Sequence, residues 1–251
     1  MIDESIELIF RDHSKKAELE PVCEEVLKHF QIPQQKLIAI FDDKERSEFI
    51  SSRYLGENFC GFFNAIRRFG RDFVDWPPDI LKHVWDYKVY GKQDWRCDVV
   101  IYLRNRTCES PTGTAITFAH ELQHFMQYEN SRKVWWANRH LQDSRLVQGR
   151  LPPWHIPTEY EALLVSKQVT EKVLGPDNVR DYAEQAKDRE QIECEGDPKK
   201  WEFFLRLDVC EEFDLQKRTT SLINECRESL QKYFPACKRD DPDYSKDDWS
   251  E

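Results

Sequence analysis

The chain has 251 residues and a mass of 30.1 kDa, enough to bury a full core, and it reads most simply as one mixed domain with a helical appendage. A formal net charge of −10 and a pI near 5.3 oppose non-specific binding to nucleic acid and favour solubility. The acidic start Met1-Ile2-Asp3-Glu4-Ser5, with no apolar run long enough for a signal sequence or a membrane span, argues for a cytosolic chain.

In chain order, Glu20 to Phe30 places Val22, Val26 and Phe30 on one stripe with Pro21 near the first turn, an amphipathic helix. Lys36 to Phe41 reads as a buried strand and Glu45 to Tyr54 as a helix. Cys60 to Trp85 is crowded with aromatics that read as core, some of them able to line a cleft. Asp98 to Arg104 is a β-branched and apolar run, hence a strand, and Ser110-Pro111-Thr112-Gly113 makes a turn after it. Thr114 can then cap a helix that runs without Gly or Pro to Asn130. A further helix begins at Pro157 and stops at Gly175-Pro176, Asp177 and Asp197-Pro198 look like two more helix starts, and Ser221 to Phe234 reads as the last helix. The boundaries that follow are 1–175 for the core, 176–238 for a helical region packed on it, and 239–251 for an acidic, patternless and mobile tail. The eight cysteines contain no C-x-x-C and read as free thiols without a structural zinc site. No phosphate-binding G-x-x-x-x-G-K-[ST], dinucleotide-binding G-x-G-x-x-G or nucleophile-elbow G-x-S-x-G occurs.

The stretch that carries chemistry is His120-Glu121-Leu122-Gln123-His124, inside the helix that ends at Asn130. At helical pitch imidazoles at i and i+4 share one face about 6 Å apart, close enough to hold one metal ion. Glu121 projects roughly 100° round the helix, where a carboxylate can reach a metal-bound water without being a ligand. Phe118, Leu122 and Phe125 form an apolar stripe on the side away from the histidines, while the small Gly113 and Thr117, and then Tyr128, stand on the metal side. The plainer reading is a pair of solvated surface histidines.

Catalytic zinc takes three protein ligands and keeps the fourth position for water, so a third ligand is needed. The metzincin continuation is excluded, because Gln127 and Asn130 stand where its glycine and third histidine would be. Pro157-Thr158-Glu159-Tyr160-Glu161-Ala162 resembles the E-x-x-A element that carries the glutamate ligand in gluzincin-type metallopeptidases. With the H-E-x-x-H, the stretch from 98 to 170 resembles the glutamate-ligand branch of the zincin superfamily. Glu159 and Glu161 lie about 200° apart on a helix, so only one can face the metal. Thr158-x-x-Glu161 has capping-box spacing, which gives Glu161 a structural task and favours Glu159 as ligand. His140 and His155 are the rival third ligands, and otherwise surface residues; either of them, or Tyr128 or Tyr160, could hydrogen-bond an oxyanion. Leu163 stands where the family often has an acidic residue, so the partner of a histidine ligand must come from elsewhere.

The resemblance implies an α+β, zincin-like fold: a small mixed sheet packed on the active-site helix, with a mainly helical C-terminal half. It also implies that the strand at 98–104 is a sheet edge that pairs with an extended peptide substrate, the alternative being an interior strand that only packs. Trp135 and Trp136 either wall the cleft or pack in the core. The expected activity is zinc-dependent hydrolysis of peptide bonds, with His120, His124 and Glu159 holding Zn²⁺ and Glu121 as general base; the partner is a peptide or protein substrate. The competing reading is a catalytically silent zincin fold used as a metal-stabilised binding module.

Overall fold

The computed structural model describes residues 6–11, 14–33, 36–42, 61–65, 85–87, 93–95, 98–103, 108–143, 151–193 and 197–233. The architecture is α+β. In chain order the described elements are β1 (Ile6–Arg11), α1 (Lys16–Leu27), β2 (Leu37–Asp42), β3 (Gly61–Ala65), β4 (Trp85–Tyr87), β5 (Gln93–Trp95) and β6 (Val99–Leu103). Then come α2 (Pro111–Asn130), α3 (Arg132–Asp143), a single 3₁₀ turn (Pro153–His155), α4 (Pro157–Leu174), α5 (Pro176–Glu193), α6 (Pro198–Arg206) and α7 (Leu215–Tyr233). The expected helix over 45–54 and the tail at 239–251 lie outside the described residues.

The main sheet has the order β1-β2-β6-β3. Its first three strands are parallel, with Ile6 opposite Leu37 and Leu37 opposite Val99, while β3 runs antiparallel to β6 with Gly61 opposite Leu103. β4 and β5 form a separate antiparallel ribbon. Every residue of β6 is buried. This corrects the placement of that run at a sheet edge: β6 lies between β2 and β3, and among the described strands the outer ones are β1 and β3. An interior parallel strand is covered on both faces, which is why Val99-Val100-Ile101-Tyr102-Leu103 is an unbroken apolar run.

On one face of the sheet, alternate residues Leu37, Ala39 and Phe41 of β2 and Val99, Ile101 and Leu103 of β6 meet Phe118, Leu122 and Phe125 of α2 and Leu19, Cys23 and Val26 of α1. The α2 stripe is fully buried, and Phe118 meets Phe41 edge-on with ring centroids 5.4 Å apart. The histidine face of α2 is thereby turned away from the sheet. A second core joins Ile116 of α2 and Leu163 and Leu164 of α4 to Val179, Ala183, Phe204 and Leu207. The C-terminal helices complete that core against α4. Among the described residues no helix is long and apolar enough to cross a membrane.

Helix ends differ from expectation where a cap was misplaced. α2 starts at Pro111, not Thr114: the Ser110 hydroxyl accepts from Gly113 N–H at 3.1 Å and Pro111 supplies the preset first residue. Thr114 lies inside, with its N–H and hydroxyl both donating to the Ser110 carbonyl. α1 begins one turn ahead of Glu20, anchored by the buried Leu19, so Pro21 sits inside the helix and supplies no N–H to the ladder. α7 begins at Leu215 because the Asp214 carboxylate accepts from Lys217 N–H at 2.9 Å. α4 does end at Gly175, whose φ of 89° is open to glycine and strained for other residues.

Candidate metal centre

α2 carries His120 and His124 one turn apart, and α4 packs alongside it with Glu159 in its first turn. Pro157 opens α4, and a carboxylate near a helix N-terminus is favoured by the helix dipole. Nε2 of His120 lies 3.4 Å from Oε2 of Glu159, and Nε2 of His124 lies 3.4 Å from Oε1 of the same carboxylate. The two ring nitrogens are 3.0 Å apart. These are the only His, Cys, Asp or Glu residues among the described ones that gather into a group able to hold a metal ion, and their candidate ligand atoms all lie within 4.8 Å of one another. Their side chains are 12–23% exposed, so the group is largely buried yet reached by solvent.

Burial disfavours the charged form of all three groups. At His120 the charge on His124 adds to burial, Glu159 offsets it only in part, and the pKa falls to about 4. At His124 burial is outweighed by the charge and hydrogen bond of Glu159, with Glu121 and Gln127 contributing, and the pKa is pushed up to about 9. Glu159, for which burial favours the acid, is held well below the usual carboxylate range by the His124 charge and by hydrogen bonds from both rings. At neutral pH the group is therefore a neutral His120, a protonated His124 and an ionised Glu159.

The donor set and its spacing suit a transition-metal ion. The two ring nitrogens are 3.0 Å apart and each lies 3.4 Å from a different oxygen of Glu159, while one ligand atom from each residue can be chosen so that all three lie within 4.8 Å of one another; tetrahedral zinc with bonds of about 2.0–2.2 Å separates its ligands by roughly 3.3–3.6 Å. Among the described residues no fourth side chain of ligand type joins them. Glu121 follows His120 directly, is 7% exposed, and is close enough for its charge to act on His124.

Glu161 is not in the group. Its Oε2 accepts from Gln123 Nε2 at 3.1 Å and from Gln127 Nε2 at 2.8 Å. The capping box assigned to it does not form, because α4 starts at Pro157 with Ile156 as an uncapped N-cap, leaving Thr158 inside the helix. His155 is exposed on the 3₁₀ turn, its ring against Phe203 with centroids 4.9 Å apart. His140 falls on α3, and its side chain lies outside the described residues, as does that of Trp136. Trp135 meets the buried Tyr128 edge-on, at 5.4 Å between centroids. The Tyr160 hydroxyl donates to Glu211, and burial together with that bond pushes its pKa up to about 12. Two residues near the centre were missed in the sequence. Gln127 is hydrogen-bonded to His124, and Lys200 of α6 is near enough for its charge to lower His120. Gln127 stands three residues after His124 on the same helix, a spacing that could have drawn attention to it. Nothing local marks Lys200.

Compared with protein-family models, with curated proteins and with solved structures, the chain matches none.

Proposed function

We propose that this chain is a zinc-dependent peptidase of the zincin type, with His120, His124 and Glu159 as ligands and Glu121 as general base. The observation that carries the reading is the meeting of two imidazole nitrogens, 3.0 Å apart, with one carboxylate, each nitrogen 3.4 Å from one of its two oxygens: a set of three ligand-type side chains within 4.8 Å, with a carboxylate next in sequence that is not one of them. A structural site would use four ligands. Zinc bound there supplies Lewis acidity towards water and towards a carbonyl. Glu121 would accept a proton from the water as its oxygen adds to the carbonyl and forms the C–O bond, and would pass it to the amine nitrogen as the C–N bond then breaks, leaving a carboxylic acid and a free amine. β3, an outer strand among the described residues and packed beside α2, is suited to pair with an extended peptide through main-chain hydrogen bonds.

The test is a metal assay on purified protein followed by cleavage of an unfolded protein, with and without chelator. One zinc per chain and chelator-sensitive cleavage support the reading. Retained zinc with no cleavage of any unfolded substrate favours the silent binding module, and a chain that takes up no zinc overturns the metal centre itself.

Proton release offers a second measurement. Between about pH 4, where His120 titrates, and about pH 9, where His124 does, zinc must displace one proton, that on His124. Zinc affinity should rise about tenfold per pH unit from pH 6 to 8 and level off above about 9. Calorimetry in buffers of different ionisation enthalpy at pH 7 counts the proton directly. An affinity flat across that range would show His124 already neutral.

A further inference from the structure

The strongest feature outside the three ligands is the chain of hydrogen bonds behind His124. Gln127 Oε1 lies 2.9 Å from His124 Nδ1, and Gln127 Nε2 donates to the Thr158 carbonyl at 2.9 Å and to Glu161 Oε2 at 2.8 Å. Gln127 is buried, with 3% of its surface exposed, so these bonds do not compete with bulk water. A carbonyl can only accept, which forces the amide nitrogen of Gln127 towards Thr158 and the amide oxygen towards His124. An amide oxygen can only accept in turn, so His124 must carry a proton on Nδ1. The Nε2 lone pair is then the one left for the site.

The same bonds cross between helices. Gln123 and Gln127 are on α2, Thr158 and Glu161 on α4, and Glu159 lies between the latter two. Resting on the metal reading above, we propose that Gln127 is a positioning residue of the centre: it sets the proton-bearing nitrogen of His124 and, through Thr158 and Glu161, locks the helix of the two imidazoles to the helix of the carboxylate. Glu161, with two amide donors on one oxygen, anchors the far end of this clamp. A short neutral glutamine thus takes the place that an acidic residue near the second helix would otherwise fill. The amide adds no charge to a group in which Glu121 and Glu159 already raise the pKa of His124.

The test uses the full chain labelled with ¹⁵N in its imidazole rings, and compares the parent with Gln127→Met and Glu161→Gln. Methionine keeps length and volume but accepts no strong hydrogen bond. In the parent, His124 should show an exchange-protected Nδ1–H signal with or without zinc. Gln127→Met should lose that signal and lose about 10–100-fold in zinc affinity, the usual cost of removing such a partner, while the ring signals of the histidines outside the centre stay in place. Glu161→Gln retains an oxygen able to accept from both amides and should keep the signal and bind zinc within about threefold of the parent. A Gln127→Met protein that keeps the protected Nδ1–H, or that binds zinc as tightly as the parent, overturns the proposal. Failure of the parent to bind zinc would instead overturn the metal reading, and the ring signal of the metal-free protein would still decide the role of Gln127.

Discussion

Glu121→Gln should leave one zinc bound per chain and cut peptide hydrolysis by roughly 10²–10⁴-fold, the usual contribution of a positioned general base. Metal holding and proton transfer would fall to different residues of one helix turn. His120 and His124 meet Glu159 through their Nε2 atoms, while Glu121 is buried beside them outside that group of three. Glutamine preserves the volume and one acceptor but cannot take up a proton at neutral pH, so ligand geometry survives and proton transfer fails. Zinc content by atomic absorption and turnover of an unfolded substrate, measured on the same preparation, give both readouts. A Gln variant with parental turnover would remove Glu121 from the chemistry, and loss of zinc along with activity would make it a ligand or a structural support.

Removing a ligand has a different signature. Glu159→Ala and His124→Ala should each lower zinc affinity by more than about 100-fold, beyond what an outer partner costs, and abolish turnover together with metal. His155→Ala, which alters an exposed ring stacked on Phe203, should leave zinc in place. The metal-free protein should also feel the loss of Glu159. Its carboxylate accepts hydrogen bonds from both rings, and bonds to a charged group contribute about 1.5–3 kcal/mol, less here because the side chain is 23% exposed. Glu159 is lowered, so its contribution is present above the ordinary carboxylate value and lost as pH falls through the lowered one. His124 is raised from 6.5 to about 9, so its half is full below 6.5 and lost as pH rises through about 9. Urea unfolding of chelated parent and Glu159→Ala should therefore differ most near pH 5–7 and converge towards pH 10. Equal stabilities at neutral pH would mean that the group is not assembled before metal arrives.

Much of the site was legible because it depends on short spacings. An i, i+4 pair of histidines on an uninterrupted helix shares a face whatever the helix packs against, and Phe118, Leu122 and Phe125 mark the opposite face as core. The preference for Glu159 over Glu161 rested on a capping box that does not form; the two carboxylates do diverge, but Glu161 is drawn to Gln123 and Gln127, not to the helix end. The sheet edge was misplaced for a related reason. A run such as Val99 to Leu103 reports that both of its faces are covered, which fits an interior strand, and no local pattern shows which other strand will pair beside it.

Periodicity and punctuation alone sufficed for the histidine-bearing helix, its core stripe, the stop at Gly175 and the start at Asp197-Pro198, because each depends on residues within a turn or two of one another. Packing decided the rest. The approach of α4 to α2, the 3.4 Å contacts of Glu159 with both rings, and the bonds of Gln127 to Thr158 and Glu161, 31 and 34 residues further along, arise only when two helices settle against a shared core. The pKa of about 4 at one histidine and about 9 at the other has the same origin: the rings are of one residue type, and only their placement relative to a buried carboxylate and to each other sets them apart.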